Sequence, residues 1–381
     1  MTVAVANFLS YRDRIVPRSE VHFLRRLYVA FDRLQPVWVG RRRDAGLPDL
    51  GAAPLFLGEP GMRGAITRTL FKHFGVLPSR PDLRALRPRL VHAHFGRGGA
   101  LALPLAEALG VPLVVSFYGG DATKETHYRP RLIPAIYARR LAALEEKAAM
   151  FVCVSDFIRE RLLDRGFPCD KLVVIRSGVD LGIEAGVAPE LPPGYVLFAA
   201  RFVEKKGATY LIEAVRRLQA EGRELPLVLI GEGPLADELK RQAGALKSVL
   251  FHGWVPNREL RRWMAGAMTV CVPSCAAETG DAEGLPTVVI EAMAAGTPVV
   301  GSRHAGIGEA VEHERTGLLV PPEDPEAITA ALRRLCDEPG LRDTLAGNAR
   351  RAAVEQFDAR AQSRRLQQTL LEVIARSAGT S

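Results

Sequence analysis

The sequence predicts an α/β protein with two doubly wound, Rossmann-like domains, each built on a parallel sheet. Short apolar strand segments alternate with helical segments through both halves, which is typical of a parallel sheet covered by helices on both faces. A length of 381 residues favours two domains over one. Residues 184–194 include Pro189, Pro192 and Pro193 and suit a linker between two such runs.

We therefore predict an N-terminal domain at residues 1–185 and a C-terminal domain at 186–359. The final helix, at about 360–381, is expected to pack back onto the N-terminal domain. In doubly wound sheets, ligands bind beyond the carboxyl ends of the strands. The two domains are accordingly expected to face each other across a central cleft that holds the ligand.

The strand and helix predictions follow the chain in order. Strands are assigned to short apolar runs bounded by Gly or Pro, and helices to longer runs with apolar residues at helical spacing. In the first half the strands are Thr2–Leu9, Val37–Val39, Leu90–Phe95, Pro112–Phe117, Phe151–Ser155 and Leu172–Ile175. The helices are Ser19–Leu34, Leu101–Leu109, Leu132–Ala149 and Asp156–Arg165, with helical pieces inside 63–88.

The second half repeats the same alternation. Its strands are Tyr195–Ala200, Leu227–Gly231, Val249–Phe251, Met268–Pro273, Pro298–Gly301 and Gly317–Val320. Its helices are Ala208–Ala220, Leu235–Leu246, Arg258–Ala265, Thr287–Ala295 and Pro325–Cys336, followed by two further helical stretches.

Composition narrows the function classes. Hydrophobic residues make up 48% and charged residues 25%, as in an ordinary globular protein. The longest apolar runs are too short to span a bilayer, and no N-terminal signal pattern is visible, so we expect a cytoplasmic protein. The five cysteines lack a CxxC pattern, which argues against a disulfide framework and a thiolate metal site.

The positive charge is concentrated in the first half. Residues 1–185 carry 28 Lys+Arg against 18 Asp+Glu, whereas residues 186–381 carry 23 against 25. The first half could therefore meet an anionic membrane surface or a phosphate-bearing acceptor, or its arginines could simply be solvated. We see no nucleic-acid-binding motif.

The central stretch of the second half runs from Glu283 to Glu291. It has two carboxylates with seven residues between them and a Gly-Leu-Pro turn after the first. A helix is predicted from Thr287, ended by Gly296 as a C-cap glycine. The start of such a helix attracts an anion, with Glu283 beside it and Glu291 about two turns further on. The arrangement suits a phosphate flanked by sugars, although the spacing alone fits two unrelated surface glutamates.

Other strand-to-loop corners of the second half also carry residues suited to a ligand. Arg201 and Lys206 follow the first strand, and two cations are what a departing diphosphate requires. Gly231 and Gly233 follow the second strand and allow backbone to approach a ligand closely. Trp254 and Val255 follow the third, where main chain could contact a nucleobase. Each alone could be a surface cation, a tight turn or a core aromatic.

Together these motifs resemble the GT-B glycosyltransferases of family four, a large retaining group, and in particular those of bacterial capsule and exopolysaccharide assembly. The resemblance covers nearly all of the second half and is weaker in the first. The motifs that carry it are Arg201…Lys206-Gly207, Gly231-Glu232-Gly233-Pro234, Gly253-Trp254-Val255, Glu283-x7-Glu291, Gly317-Leu318-Leu319-Val320, Val91-His92-Ala93-His94-Phe95-Gly96, Phe117-Tyr118-Gly119-Gly120-Asp121 and Val174-Ile175-Arg176-Ser177-Gly178-Val179-Asp180.

The resemblance implies a nucleotide-sugar donor bound by the C-terminal domain and an acceptor bound by the N-terminal domain. Arg201 and Lys206 would hold the donor diphosphate, while Glu283 and the main chain of Gly284 and Leu285 would bind the donor sugar. Pro286 and Thr287 would start the anion-binding helix. Glu291 would bind the ribose, and the main chain near Trp254 and Val255 the base.

The acceptor side departs from the family pattern. Tyr118 stands where the family often has His, which makes Asp121 the better polar candidate near the reacting centre. Tyr118, His94 and Arg12 are acceptor-side candidates. His92 and His94 are predicted to point to opposite faces of their strand, one in the core and at best one at the cleft, so that they would not chelate one metal easily.

The loop Cys275–Asp281 is longer than usual in the family and adds Glu278 and Asp281, which could shift donor choice. The sequence Asp281-Ala282-Glu283 could be mistaken for the acidic metal motif of another glycosyltransferase architecture. Because Arg201 and Lys206 supply the positive charge that a diphosphate needs, we expect no metal and no cofactor.

The function predicted from sequence is transfer of a hexose, with retention, to a hydroxyl of a glycan or lipid-linked glycan in cell-surface polysaccharide synthesis. The resemblance implies that the acceptor attacks from the leaving-group face while a diphosphate oxygen takes its proton. Two alternatives stay open. One is a GT-B nucleotide-sugar epimerase or hydrolase, and the other is a non-catalytic nucleotide-sugar-binding protein at a membrane.

Overall fold

The computed structural model describes residues 5–15, 19–43, 54–58, 61–78, 80–125, 136–182, 191–244, 246 and 248–379. The chain divides into two compact units. Unit 1 consists of Met1–Gly178 with Ala359–Ser381, and unit 2 of Val179–Asp358. Most of the predicted linker at 184–194 lies outside the described residues.

Unit 1 is built on a sheet of seven parallel strands. Their order is β5-β3-β1-β6-β7-β8-β9, and a separate small sheet pairs β2 with β4. The strands are β1 (Ala6–Tyr11), β2 (Arg14–Ile15), β3 (Leu34–Gly40), β4 (Arg42–Arg43), β5 (Leu55–Phe56), β6 (Val91–His94), β7 (Leu113–Phe117), β8 (Met150–Cys153) and β9 (Leu172–Val174). The helices are α1 (Ser19–Leu27), α2 (Met62–Phe74), α3 (Pro81–Ala85), α4 (Gly96–Leu109), α5 (Gly120–Thr123), α6 (Ile136–Lys147) and α7 (Asp156–Leu163).

Unit 2 has a sheet of six parallel strands in the order β12-β11-β10-β13-β14-β15. The strands are β10 (Tyr195–Ala199), β11 (Leu227–Ile230), β12 (Val249–His252), β13 (Ala267–Val272), β14 (Val299–Ser302) and β15 (Gly317–Val320). The helices of the unit are α8 (Ala208–Ala220), α9 (Ala236–Ala243), α10 (Asn257–Gly266), α11 (Thr287–Ala295), α12 (Ile307–Ala310), α13 (Pro325–Asp337) and α14 (Pro339–Gln356).

The final helix, α15 (Ala359–Gly379), belongs to unit 1. Its residues Leu366, Leu370 and Val373 are buried in the same core as Phe8 of β1. The buried Gln367 accepts hydrogen bonds from three successive backbone N–H groups, those of residues 32–34, at 2.9–3.2 Å. This side chain satisfies backbone groups at the entrance to β3, where burial would otherwise leave them unpaired.

Both sheets reverse strand order beside their first strand. In unit 1 the switch lies between β1 and β6, and in unit 2 between β10 and β13. The crevice beyond the carboxyl ends at such a switch is the usual ligand site of doubly wound folds. In unit 2 this brings the loop after β10 beside the loop after β13, so that Lys206 and Glu283 become neighbours.

Most predicted elements are confirmed, including α8 and α11 at their predicted bounds. The predicted helix Ser19–Leu34 is wrong in its second half, because α1 ends at Leu27 and Leu34 begins β3. Leu34 pairs with Ala6 across the sheet. Tyr28 turns inward there, and its hydroxyl reaches the histidines of β6. Among the described residues, no helix is both long and apolar enough to cross a bilayer.

Candidate active site

The switch point of unit 2 holds a cluster of two lysines and two acids. The Glu283 carboxylate lies 2.9 Å from Nζ of Lys205 and 3.0 Å from Nζ of Lys206. Lys205 also lies 2.9 Å from the Asp281 carboxylate. The four side chains are only 13–19% exposed. The cluster therefore joins the loop after β10 to the loop after β13 through partly desolvated charges.

Backbone contacts hold these two loops together. Lys205 and Lys206 lie on one 3₁₀ turn that ends at Gly207, where φ is 66°. A Cβ at Gly207 would collide with the carbonyl oxygen of Pro273, so only glycine fits where the two loops meet. The N–H of Cys275 donates to the carbonyl of Lys205 at 2.9 Å. The lysines are thus placed by main chain as well as by their ion pairs.

The electrostatics keep Glu283 ionised. Burial alone would raise its pKa, but Lys206 and Lys205 outweigh burial and lower the pKa of Glu283 to about 2. Burial likewise opposes the charge of Lys205, yet Glu283 and Asp281 raise its pKa. Near neutral pH the site therefore holds a carboxylate between two ammonium groups, and an anionic ligand could compete with that carboxylate for them.

Arg201 differs from Lys206. It is exposed, and no ion pair to it is present within the described part of the chain. Its backbone carbonyl accepts from the N–H of Val203, which turns the chain after β10. The two predicted diphosphate cations thus have different environments: Arg201 is exposed, and Lys206 is paired with Glu283.

Helix α11 starts beside the cluster. Pro286 is its N-cap, and Gly296 ends it with φ of 73°, which confirms the predicted C-cap glycine. The Gly284 carbonyl accepts from the N–H of Gly306 at 2.9 Å, which ties the loop before α11 to the loop after β14. His304 lies on that second loop, where burial lowers its pKa while Glu283 and Glu323 raise it.

Glu291 lies just over one turn into α11, not two, since it is only the fifth residue of the helix. It is 5% exposed, and its Oε1 accepts from Nδ2 of Asn257 at 3.0 Å. Asn257 opens α10, directly after the corner that contains Trp254 and Val255. Trp254 is 41% exposed and Val255 is buried. The predicted ribose and base contacts thus belong to one hydrogen-bonded corner.

The glycines after β11 are required by the packing of the fold, whether or not a ligand approaches them. Gly231 has φ of 144°, and a Cβ there would collide with the carbonyl oxygen of Ala200. A Cβ at Gly233 would collide with the backbone of Phe202, whose N–H donates to the carbonyl of Glu232. The backbone that these glycines approach in the structure is the corner after β10.

Unit 1 contradicts one sequence prediction. His92 and His94 do not point to opposite faces, because their ring centroids lie 4.6 Å apart. Side chains alternate along a strand, so residues two apart share a face. The Tyr28 hydroxyl lies 2.8 Å from Nδ1 of His92 and 2.9 Å from Nε2 of His94. Both histidines are fully buried, which corrects the expectation of one in the core and one at a cleft.

These rings form part of a longer buried network. Nε2 of His92 lies 2.7 Å from Oγ of Ser116, and Nδ1 of His94 lies 2.7 Å from the Tyr118 hydroxyl. Burial lowers the pKa of His92 to about 3. Burial, with smaller effects of His92 and Arg12, lowers the pKa of His94 as well. The network is therefore neutral near pH 7 and ends at the partly buried Tyr118.

The Asp121 carboxylate is held by backbone N–H groups. Its carboxylate accepts from the N–H groups of Gly96, Tyr118 and Gly119 at 2.9–3.1 Å. Burial raises its pKa, while these hydrogen bonds lower it. Asp121 thus joins the corner after β6 to the corner after β7. Arg12 lies with its guanidinium carbon 4.1 Å above the ring of Phe95, on the neighbouring corner.

Sequence reasoning missed three of these residues. Lys205 is missed because only its neighbour Lys206 is assigned to the diphosphate. A second lysine in a chain segment predicted to meet two acids is nevertheless a signal for an ion pair. Asn257 carries a usable signal, since it opens a helix after a Gly-Trp corner. Tyr28 carries none, because nothing local shows that it turns inward from the end of α1.

Comparison with known proteins agrees with this architecture. Residues 193–338 match the family model of glycosyl transferases group 1, and residues 56–182 match that of glycosyltransferase family 4. HepE of Anabaena, in a crystal structure with UDP and glucose, superposes with a TM-score of 0.76 at 18% identity, over 96% of this chain and 100% of that one. A sucrose-phosphate synthase of Thermosynechococcus elongatus gives 0.76 at 21% identity, over 97% and 99%. The fold is therefore GT-B.

Curated relatives are closer in sequence. The amylovoran biosynthesis glycosyltransferase AmsK of Erwinia amylovora is 35% identical over 254 residues, which cover 64% of this chain and 60% of AmsK. The putative colanic acid biosynthesis glycosyltransferase WcaL of Salmonella typhimurium is 32% identical over 295 residues, which cover 74% of this chain and 70% of WcaL. The chain therefore belongs to the group 1 and family 4 glycosyltransferases.

Proposed function

We propose that this protein is a retaining hexosyltransferase that moves a sugar from a nucleotide-sugar to a hydroxyl of a glycan or lipid-linked glycan during exopolysaccharide synthesis. The observation that carries the proposal is the pairing of Glu283 with Lys205 and Lys206 at the switch point of unit 2. The assignment of AmsK to amylovoran biosynthesis and of WcaL to colanic acid biosynthesis supports the pathway. The bound UDP and glucose of HepE support the donor class.

The cluster suggests how a donor would bind. A diphosphate arriving beside α11 would draw Lys206 from Glu283, and Arg201 could turn toward the same charge. Glu283, still held by Lys205, would then accept hydrogen bonds from donor sugar hydroxyls. Glu291 and Asn257 would receive the ribose. Exchange of one charged partner for another costs little reorganisation, which suits a site that stabilises a leaving group.

The proposed chemical step needs no residue that bonds covalently to the sugar. The bond between the anomeric carbon and the diphosphate oxygen breaks, and its electron pair stays on the diphosphate. The acceptor oxygen bonds to that carbon from the same face, and its proton passes to a diphosphate oxygen. Lys206, Arg201 and the start of α11 would stabilise the negative charge that develops.

We also propose that the transfer needs no metal ion. The two acids of the Asp281-Ala282-Glu283 sequence both lie 2.9 Å from Nζ of Lys205, so a lysine already occupies the position between them. The cations that a diphosphate needs are supplied by Lys206 and Arg201.

The protein is further proposed to work in the cytoplasm at the inner face of the membrane. The arginines of the basic first half are not all available for this. Arg41 is buried and its guanidinium lies 2.7 Å from the Asp13 carboxylate, while Arg12 covers Phe95. Arg18 and the side chains of Arg42 and Arg43 lie outside the described residues.

A single experiment tests the activity. Purified protein is first screened with UDP-, GDP- and ADP-sugars by thermal shift, since a ligand of the folded state raises stability by mass action. The stabilising donor is then incubated with lipid extract and excess EDTA. We expect a sugar-bearing product with a retained anomeric configuration. Release of free sugar regardless of acceptor would show a hydrolase or epimerase instead, and loss of activity in EDTA with recovery in magnesium or manganese would refute metal independence.

A further inference from the structure

Helix α2 exposes a row of large apolar side chains. Met62, Ile66, Leu70 and Phe74 are spaced four residues apart, which places them along one side of the helix. They are 83%, 56%, 40% and 72% exposed, and Val76 just beyond the helix is 52% exposed. In the described part of the chain, half of the exposed large hydrophobic residues lie within these 15 positions. Such a concentration marks an interaction surface rather than scattered surface residues.

The helix is anchored to unit 1 by its other side. Phe71 is fully buried there and contacts the ring of Tyr11, with centroids 6.4 Å apart. Gly64 is also buried on that side. The helix ends at Gly75, whose φ is 73° and whose N–H donates to the carbonyl of Phe71. The apolar row is therefore presented by a fixed helix.

The charge on helix α2 has one sign. Helix α2 contains Arg63, Arg68 and Lys72 and no Asp or Glu. Helix α6 adds Arg139 nearby, since burial and then Lys72 and Arg139 lower the pKa of His73 at the end of α2. An apolar row flanked by cations on one helix is the composition of a helix that lies in a membrane interface.

The surface continues past the end of α2. Phe74 and Gly75 line an open hollow together with Leu103 and Pro104 of α4. Arg140 of α6 lies at its edge, and Lys147 lies there paired with Glu107 of α4 at 2.6 Å. The apolar floor thus continues the row, and Arg140 adds a cation to it.

We propose that α2 docks unit 1 on an anionic lipid bilayer, with Met62, Ile66, Leu70 and Phe74 entering the boundary between headgroups and acyl chains. Arg63, Lys72 and Arg139 then contact headgroup phosphates. This rests on the part of the proposed function that places the enzyme at a membrane, and it supplies the surface. A second copy fits less well, because a symmetric contact through this face would bring the same cations together.

The test is co-sedimentation of the full chain with vesicles. Wild type is expected to bind vesicles of phosphatidylglycerol and phosphatidylcholine, to bind less at high salt, and to bind pure phosphatidylcholine weakly. A variant with Met62→Ser, Ile66→Ser, Leu70→Ser and Phe74→Ser is expected to lose at least about tenfold in binding. The matched control, Leu250→Ser with Val354→Ser, removes exposed apolar residues of unit 2 and should bind as wild type.

A charge variant separates the two contributions. Changing Arg63, Lys72 and Arg139 together to Gln is expected to weaken binding to anionic vesicles and to flatten its dependence on salt. All substituted side chains lie on the surface, so the thermal unfolding of each variant should match wild type. Equal vesicle binding by the four-serine variant and wild type would overturn the proposal.

Two further outcomes would also overturn it. One is a concentration-dependent dimer, seen by sedimentation equilibrium, that the four-serine variant loses. The other is an enzyme that binds no anionic vesicle yet transfers sugar to an acceptor in solution, in which case the proposed transferase function stands without the membrane surface. A protein that binds vesicles through α2 but neither binds nor turns over a nucleotide-sugar would instead contradict the proposed function alone.

Discussion

The two units place very different chemistry at the same topological position. At the switch between β1 and β6, unit 1 has a buried network of neutral rings and hydroxyls around Tyr28, His92 and His94. At the switch between β10 and β13, unit 2 has the charged cluster around Glu283. In unit 1 burial keeps the histidines of this network uncharged, whereas in unit 2 ion pairing keeps the acids and lysines of the cluster charged.

This difference shows what the shared fold does and does not determine. The strand order decides which loops meet, and it is the same around both switches. The residues on those loops decide whether the crevice favours an anion. Two lysines paired with ionised acids can exchange one anionic partner for another. A buried network of neutral groups has no such exchange, and disturbing it leaves hydrogen-bonding groups unpaired. We therefore expect mutations in unit 2 to change donor chemistry, and mutations in the unit 1 network to change stability.

The largest expected effect comes from the cations of unit 2. Lys206→Ala and Arg201→Ala should each lower kcat by about 10²–10³, since they remove charge stabilisation that is strongest in the transition state. Lys205→Ala is the matched control. It leaves both proposed diphosphate cations and removes the ion pairs of Lys205 with Glu283 and Asp281, so the loss of kcat should be about tenfold. Steady-state kinetics with varied donor measures all three, and wild-type turnover in both cation variants would refute the diphosphate assignment.

A smaller effect is expected at Glu291. Glu291→Ala should weaken donor binding by about 10–100-fold with little change in kcat, because a charged hydrogen bond contributes about 1.5–3 kcal/mol in ground and transition state alike. Asn257→Ala should weaken donor binding as well, and in addition it should lower the free energy of unfolding by about 1–3 kcal/mol, since it takes a donor from a buried carboxylate. Isothermal titration and chemical denaturation distinguish the two. A fall in the kcat of Glu291→Ala as large as its loss of donor affinity would argue against a ribose contact.

The sequence was sufficient where local pattern and chemistry agree. The strand, loop and helix around Glu283 were predictable because an apolar run, a Gly-Leu-Pro turn and Gly296 mark each boundary. Arg201 and Lys206 could be assigned to the same corner for the same reason. What the pattern could not show is that Lys206 and Lys205 both pair with Glu283, because that depends on β10 and β13 being neighbours in the sheet.

The N-terminal unit was less predictable for a physical reason. Residues 28–34 have helical spacing of apolar side chains, yet tertiary contacts override it. Tyr28 gains hydrogen-bond partners in the core, and Leu34 gains a strand neighbour in Ala6. The paired orientation of His92 and His94 follows from strand alternation alone and was available from sequence. The exposed row on α2 needed the structure, because the sequence does not say which side of a helix is covered.

The last prediction concerns acid stability, and it separates the units most directly. In unit 1 burial lowers the pKa of His92 to about 3 and that of His94 in the same direction, against about 6.5 in an unfolded chain. Below pH 6.5 the unfolded chain therefore binds protons that the native unit does not. Stability should fall by up to about 1.4 kcal/mol per pH unit for each histidine.

Unit 2 should respond later. The pKa of Glu283 is lowered to about 2, so its contribution is fully present above its unfolded pKa of about 4.3 and is lost only as the pH falls toward 2. Burial lowers the pKa of His304, so this residue costs unit 2 some stability below pH 6.5, but Glu283 and Glu323 partly offset the effect of burial. Between pH 6.5 and about 4.5, the protection factors for amide hydrogen exchange should thus fall in β1 and β6, while those in β13 and α11 stay unchanged. His92→Gln should flatten that loss in unit 1, because it removes one of the two protonation sites. An equal loss of protection in both units, or an unchanged slope in the variant, would show that the buried histidines do not set the acid limit of the fold.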